Sequence, residues 1–207
     1  MFEILSKGGI ISWIIVLNSM VATVIFFERL LHLHRAQIKT NDFLEGIYTI
    51  VRRGNIPESI SMCDNTPGPV AHVTRAALLH FDLSHNEMTN AVEHAGMEEI
   101  PRLEQRLRAL MTAAQLSPLL GLLGTVLGLA TTLISLEGNA PLVHIGDVSG
   151  GMWSALICTA IGLIVAIPAY AGYNLLVSRV EGLVLDMEQA STDIVHFLLQ
   201  TRKEESR

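Results

Sequence analysis

Charge is what this chain lacks over its longest stretches. Residues 8–27, 109–136 and 148–178 contain no Asp, Glu, Lys or Arg, although charged residues make up 16% of the whole. A helix needs about 20 apolar residues to cross a bilayer, so each stretch is long enough to span one. Half of the residues are hydrophobic and the mean hydropathy is +0.42, which excludes an ordinary soluble domain. Cysteine is nearly absent: Cys63 and Cys158 fall in a predicted loop and a predicted span, so no disulfide framework is expected. The histidines lie scattered without metal-ligand spacing, and no metal or other cofactor is expected. The glycines cluster inside an apolar span instead of between a strand and a helix, which excludes a phosphate-binding loop. No catalytic constellation and no nucleic-acid partner are expected, and the chain does not read as an enzyme.

What is present is a patterned membrane helix. Ser117-Pro118-Leu119-Leu120-Gly121-Leu122-Leu123-Gly124-Thr125-Val126-Leu127-Gly128 lies within the second span. Helical spacing puts Pro118, Gly121, Thr125, Gly128 and Thr132 near one stripe, with Ala114 and Ser135 at its ends. Lipid rewards nothing in such a stripe, so it faces other helices or something passing between them. Gly124 and Gly128 have the four-residue spacing that lets helix backbones approach closely. The third span carries a matching face of Ala155, Thr159, Gly162, Ala166 and Ala169, followed around the helix by Pro168. A hydroxyl inside a helix ordinarily bonds back to its own carbonyls, and a polar surface shared between the two stripes is the alternative.

Orientation follows from the cations. Of fourteen lysines and arginines, nine lie between Arg29 and Arg108 and four from Arg179 onward, with none between Glu137 and Gly151. The amino terminus is therefore expected outside, the middle segment and the carboxyl tail in the cytoplasm. The first span has Trp13 near its outer end, and Asn18 and Ser19 as its interior polar groups, suited to a hydrogen bond within a bundle. It is too long for a secretory signal and lacks a small-x-small cleavage site, so it is expected to be retained. Glu28 and Arg29 end it as a candidate membrane-edge ion pair among interfacial anchors His32, His34 and Arg35.

The middle segment reads as short helices. Thr40 or Asn41 is expected to cap a helix through 42–53 ended by Gly54, and Pro57 suits the first turn of the next. Thr66-Pro67-Gly68-Pro69 is a turn before a helix over 70–81. Ser84 with Glu87 is a capping box opening a helix with no strong stop before Gly138, bent by Pro101 and Pro118. At ~1.5 Å per residue it would be about 80 Å long, with half projecting from the membrane. Beyond the third span, Leu176, Val180, Leu183, Met187, Ala190, Ile194 and Leu198 form an apolar seam. Val92, Ala95, Ile100, Leu103 and Leu107 are its expected partners. The fold expected is an all-α membrane protein of three transmembrane helices, two of them very long and extended into a cytoplasmic helical region. Its parts are residues 1–35 (first span), 36–108 (cytoplasmic helices), 109–178 (second and third spans with a short periplasmic loop) and 179–207 (cytoplasmic tail).

Spans two and three hold no Asp, Glu, Lys, Arg or His. Membrane proton relays use such groups, so a titratable group serving these helices must come from another polypeptide.

The Ser117–Gly128 motif, the Gly151–Asn174 run containing Ala155-Leu156-Ile157-Cys158-Thr159 and Ala166-Ile167-Pro168, and Glu28-Arg29-Leu30 together resemble the MotA/TolQ/ExbB proton-channel family, in particular its three-span ExbB/TolQ-like branch. The resemblance covers essentially the whole chain. It implies a homo-oligomer, usually a pentamer, around a dimer of ExbD/TolR-like single-span partners in the central pore, one aspartate of which carries the proton. It implies that the proton-motive force is passed through a TonB/TolA-like effector to outer-membrane transport or envelope maintenance, from a multi-pass position in the bacterial inner membrane. Thr125 and Thr159 match the family's pore threonines, and Pro118 and Pro168 its helix-distorting prolines. The family often carries a glutamate where this chain has Ser154, about 140° around a helix from Thr159. A non-conducting structural scaffold is the competing reading, and paired inverted halves, the mark of a solute carrier, are missing.

Orientation is testable by labelling. In a Cys63→Ala, Cys158→Ala background, Asn139→Cys should react with an impermeant maleimide in intact spheroplasts, and Lys203→Cys only after lysis. The opposite pattern would invert the topology.

Overall fold

The computed structural model describes residues 9–138 and 145–205, with side chains over 148–203 in the second of these ranges. Among the described residues every regular element is an α-helix: α1 Gly9–Ala36, α2 Thr40–Arg52, α3 Ile56–Asn65, α4 Pro69–Leu79, α5 His85–Glu104, α6 Leu107–Gly138 and α7 Ile145–Glu205. Three helical stretches, Gly9–Arg52, His85–Gly138 and Val148–Lys203, are long and apolar enough to cross a membrane. The two latter are very long, at 54 and 56 residues. The all-α, three-span architecture is as the charge-free stretches required.

The chain divides into two compact units. The first comprises the chain up to Arg29 together with Arg106–Leu175, and the second Leu30–Gln105 with Leu176–Arg207.

In the first unit, α1 turns Ser12, Ile15 and Ala22 inward, all at most 5% exposed. Leu17, Met20, Val24, Leu119, Leu122, Leu133, Ile164 and Ile167 remain mostly exposed. On a soluble protein such apolar area would mark an interface, whereas on a membrane span it costs nothing against lipid.

The second unit has an ordinary close-packed core. Phe43, Leu44, Ile47 and Val51 of α2, Val70, Val73, Ala77 and Leu78 of α4, and Met88, Val92 and Ala95 of α5 pack with Met187, Ala190, Ile194 and Leu198 of α7. The seam beyond the third span is thus buried from Leu176 to Leu198, and Val92 and Ala95 share the cluster with it as the periodicity indicated. The short helices α2 and α4 join them because four apolar stripes converging on one axis exclude water better than two. Gly68 has a φ of +122°, and a Cβ there would lie 2.6 Å from the Ala36 carbonyl oxygen, so the turn before α4 needs glycine.

Three local expectations shift and one holds. α2 begins at Thr40 with Lys39 in the cap position and no side-chain cap, Lys39 lying 3.6 Å from Asp42. Cys63 lies buried in α3, not in a loop, because Pro57 starts that helix early enough to include it. The capping box of Ser84 and Glu87 forms as read, the Glu87 amide donating to Ser84 Oγ and the Ser84 amide to Glu87 Oε2. Pro101 stays inside α5, while the long helix after it is divided at Gln105-Arg106, where Arg106 adopts φ +65°. A left-handed non-glycine residue costs about 1–3 kcal/mol. Its half-exposed ion pair with Glu28 returns at most about 1 kcal/mol, so burial of Leu107 and Leu110 has to supply the rest.

Ile194 is fully buried in this core, and Ile194→Ala should destabilise it by about 2–5 kcal/mol. Hydrogen exchange should then accelerate across α2, α4 and α5, while α6 keeps its protection.

Candidate functional site

Close packing of two small-residue faces builds the site. On α6, Ser117, Gly121, Gly124, Gly128 and Thr132 are buried, with Pro118 and Thr125 half-buried at the edge of that face. On α7, Ala155, Cys158, Gly162 and Ala166 are buried and Thr159 is half-buried. A Cβ on Gly121 would lie 3.1 Å from the Cys158 carbonyl oxygen, 3.3 Å from Thr159 Cα and 3.4 Å from Gly162 Cα. One on Gly162 would lie 2.7 Å from the Ser117 carbonyl oxygen. At Gly128 it would meet Ala155 N and Gly151 O, both at 2.9 Å, and at Gly124 the Cys158 side chain. Most of these neighbours are backbone, which cannot swing aside, so the two helices touch main chain to main chain.

That contact brings Thr125 and Thr159 together. Their hydroxyls are hydrogen-bonded to each other across the helix pair. Thr125 Oγ1 lies 3.1 Å from its own Gly121 carbonyl and 3.4 Å from the Ala155 carbonyl. Thr159 Oγ1 lies 3.3 Å from its own Ala155 carbonyl and 3.4 Å from Gly121 O. Back-bonding and a shared polar surface therefore occur together. Two hydroxyls bring one donor proton each, whereas the two carbonyls and two hydroxyl oxygens all accept. With more acceptors than donors, the cluster has several arrangements of nearly equal bonding. One hydroxyl can turn outward to donate to an anion, or a hydroxyl or carbonyl can accept a proton donor, without stranding its neighbour.

The remaining sequence-derived residues fall around this pair. Thr132 is buried and bonds back to Gly128 O at 3.0 Å. Ser135, placed at the end of the stripe, is exposed because the buried face runs through 117, 121, 124, 128 and 132 and carries 135 past its edge. Pro168 is exposed within α7 and lines a crevice of about 270 Å³ with Ser19, Thr23, Phe26, Leu110 and Ala169. Ser154 is half-buried one residue before Ala155. Glu28 pairs with Arg106, while Arg29 turns inward and is 4% exposed.

The bundle hydrogen bond expected of Asn18 forms and holds the face from a third side, although the sequence named neither its partners nor Ser12. α1 reaches it through Ser12, whose Oγ is 3.5 Å from Cys158 Sγ, and through Asn18, whose Nδ2 donates to Ala113 O and Ser117 Oγ, both at 2.9 Å. The small and polar residues of α1 at 12, 18–19 and 22 were a signal, diluted by bulky neighbours. Away from this site, burial, helped by Asp64 and opposed by Arg75, pushes the Cys63 thiol up to about 12, so it is a packed side chain and not a nucleophile.

Residues 65–189 match the MotA/TolQ/ExbB proton channel family. The chain belongs to that family. It is 32% identical over 162 residues to the biopolymer transport protein ExbB-like 3 of Synechocystis, covering 77% of each chain. It is 37% identical over 109 residues to the biopolymer transport protein ExbB of Aquifex aeolicus, which is 53% of this chain and 72% of that one. With the Tol-Pal system protein TolQ of Haemophilus influenzae it shares 43% over 96 residues, 46% of this chain and 42% of the relative. The ExbB/TolQ-like branch, a membrane location and a channel-type family are therefore established, and the site lies within the matched residues.

The glycine contacts set an order of tolerance. Gly128→Val should force α6 and α7 apart and lower the thermal midpoint of the purified protein in detergent. Gly182→Ala, where a Cβ meets nothing within 4 Å, should be neutral or stabilising by up to about 1 kcal/mol. Equal losses at both positions would remove close approach as the reason for the glycines.

Proposed function

We propose that this protein is the proton-conducting motor or stator subunit of an inner-membrane complex, with Thr125 and Thr159 as a hydrogen-bonding station on the proton path. One observation carries the reading: an acceptor-rich hydroxyl and carbonyl cluster sits between two membrane spans that contain no Asp, Glu, Lys, Arg or His. The proton carrier is then a carboxyl group from another chain, the intramembrane aspartate of an ExbD/TolR-like single-span dimer. Protonated, that carboxyl donates its O–H to a threonine or carbonyl oxygen. Ionised, it accepts from threonine O–H groups that turn away from their backbone carbonyls. Both states find partners in a low-dielectric setting where an unmatched charge is expensive, which keeps the proton exchangeable.

A three-span chain encloses no pathway alone, so the reading includes a homo-oligomer, a pentamer by family resemblance, around the partner helices. Pro118, Gly121, Gly124, Gly128, Thr132, Gly162, Ala166 and Pro168 serve as packing and pore-lining positions in that ring. The cation distribution supports a periplasmic amino terminus and a cytoplasmic carboxyl terminus. Residues 36–108 and 179–207 then form the cytoplasmic part, and a TonB/TolA-like effector delivers the work to the outer membrane. With Ser154 in place of the family's frequent glutamate, proton transfer relies on the hydroxyl pair and the partner's carboxyl.

The test is proton uptake by vesicles carrying the co-expressed complex. A hydrogen bond to a charged group is worth about 1.5–3 kcal/mol, so Thr125→Val with Thr159→Val should cut flux by about tenfold to a hundredfold, with assembly intact. Unchanged flux in the double variant would remove the threonines from the path. No flux in the wild-type complex would leave the structural scaffold as the function.

A further inference from the structure

α6 runs uninterrupted through Pro118. Proline supplies no N–H, so the Ala114 carbonyl loses its intrahelical donor and the ring crowds the preceding turn. In membranes such a turn is tolerated where neighbouring helices and hydroxyl side chains re-satisfy it. α1 meets this turn at the carbonyl next to the freed one. Asn18 Nδ2 donates to Ala113 O and to Ser117 Oγ, each at 2.9 Å, and Ser117 Oγ donates back to Ala113 O at 2.9 Å.

Ser117 is fully buried, and its carbonyl oxygen would be 2.7 Å from a Cβ at Gly162. The proline turn is therefore gripped by α1 and rests on the backbone of α7. One turn further along lies Gly121, whose carbonyl is within hydrogen-bond reach of both threonine hydroxyls, at 3.1 Å from Thr125 Oγ1 and 3.4 Å from Thr159 Oγ1. Gly162 lies one turn from Thr159 on the facing helix. A slide or rotation of the Ser117-Pro118 turn would carry the Gly121 acceptor away from Thr159. Apolar packing alone would hold α1 in place but would not define rotation at the turn weakened by proline, whereas two directional hydrogen bonds do.

We propose that Asn18 is a positioning residue for proton transfer: by clamping the Pro118 turn it sets the register of Thr125 against Thr159. The functional half of this statement rests on the reading of the threonines as the proton station.

The experiment has a geometric arm and a conduction arm, both on the full chain co-expressed with its single-span partner. For geometry, Thr125→Cys and Thr159→Cys in a Cys63→Ala, Cys158→Ala background should cross-link readily on oxidation in native membranes. Adding Asn18→Leu should slow that cross-link severalfold, and Asn18→Gln, which keeps two N–H donors, should recover part of the rate. For conduction, Asn18→Leu with native threonines should lower flux about tenfold, yet have no further effect in the Thr125→Val, Thr159→Val background, because the two changes act on one unit. Should Asn18→Leu not accumulate, Asn18→Ser, polar but too short to reach Ala113, takes its place. Unchanged cross-linking without the amide overturns the proposal whatever the flux. Flux losses that simply add to those of the threonine variants overturn it as well. Slowed cross-linking in a complex that conducts nothing even as wild type keeps the clamp and removes the conduction reading instead.

Discussion

The backbone-to-backbone approach of α6 and α7 around Gly121 and Gly162 is the constraint from which the rest of the membrane unit follows. A Cβ would lie 3.1 Å from the Cys158 carbonyl oxygen at Gly121 and 2.7 Å from the Ser117 carbonyl oxygen at Gly162, so a side chain at either position would push the helices apart and loosen the contact between the threonine hydroxyls. Lipid offers no hydrophobic drive for helix association, so the contact relies on van der Waals fit and on weak directional bonds. Small residues at 121, 124, 128, 155 and 162 supply the fit. Thr125, Thr159, Ser117 and Asn18 supply the bonds.

This contact also explains why the spans can do without charge. A carboxylate or ammonium placed on α6 or α7 would need its own partner inside the bilayer and would compete with the close approach. Paired hydroxyls between two carbonyls are neutral, compact and adaptable, and they fit where a carboxyl would not. What they lack is a titratable proton at ordinary pH. In the proposed reading the hydroxyl pair is therefore half of a site, and the titratable group belongs to a partner chain.

The second unit obeys a different rule, because it is built like a soluble domain. Its core of α2, α4, α5 and the distal part of α7 excludes water through Val, Ile, Leu and Met, and a methyl lost there is felt as a cavity. Cys63 is part of that packing, and its elevated thiol pKa is the electrostatic face of the same burial.

Much of this was legible from residue order, since it rests on local periodicity and on charge. The three spans, the capping box at Ser84, the seam from Leu176 to Leu198, and the two stripes carrying Thr125 and Thr159 all repeat within a few residues along one helix. The start of α2 was misplaced because propensity at Thr40 and Asn41 says nothing about the side chain of Lys39. The division of the long helix at Arg106 escaped notice because no glycine marks it, and burial of Leu107 and Leu110 has to offset the left-handed backbone there. Asn18 was recognisable as a polar residue in lipid, but its acceptors lie 95 and 99 residues away, beyond any periodic signal. The sequence by itself determined that these helices cross a membrane, which faces they bury and that their spanning stretches carry no charge, because each is a property of spacing and composition. The tertiary structure decided which hydroxyl meets which carbonyl and what grips the proline turn, because hydrogen bonds of about 3 Å between distant segments depend on how the helices pack.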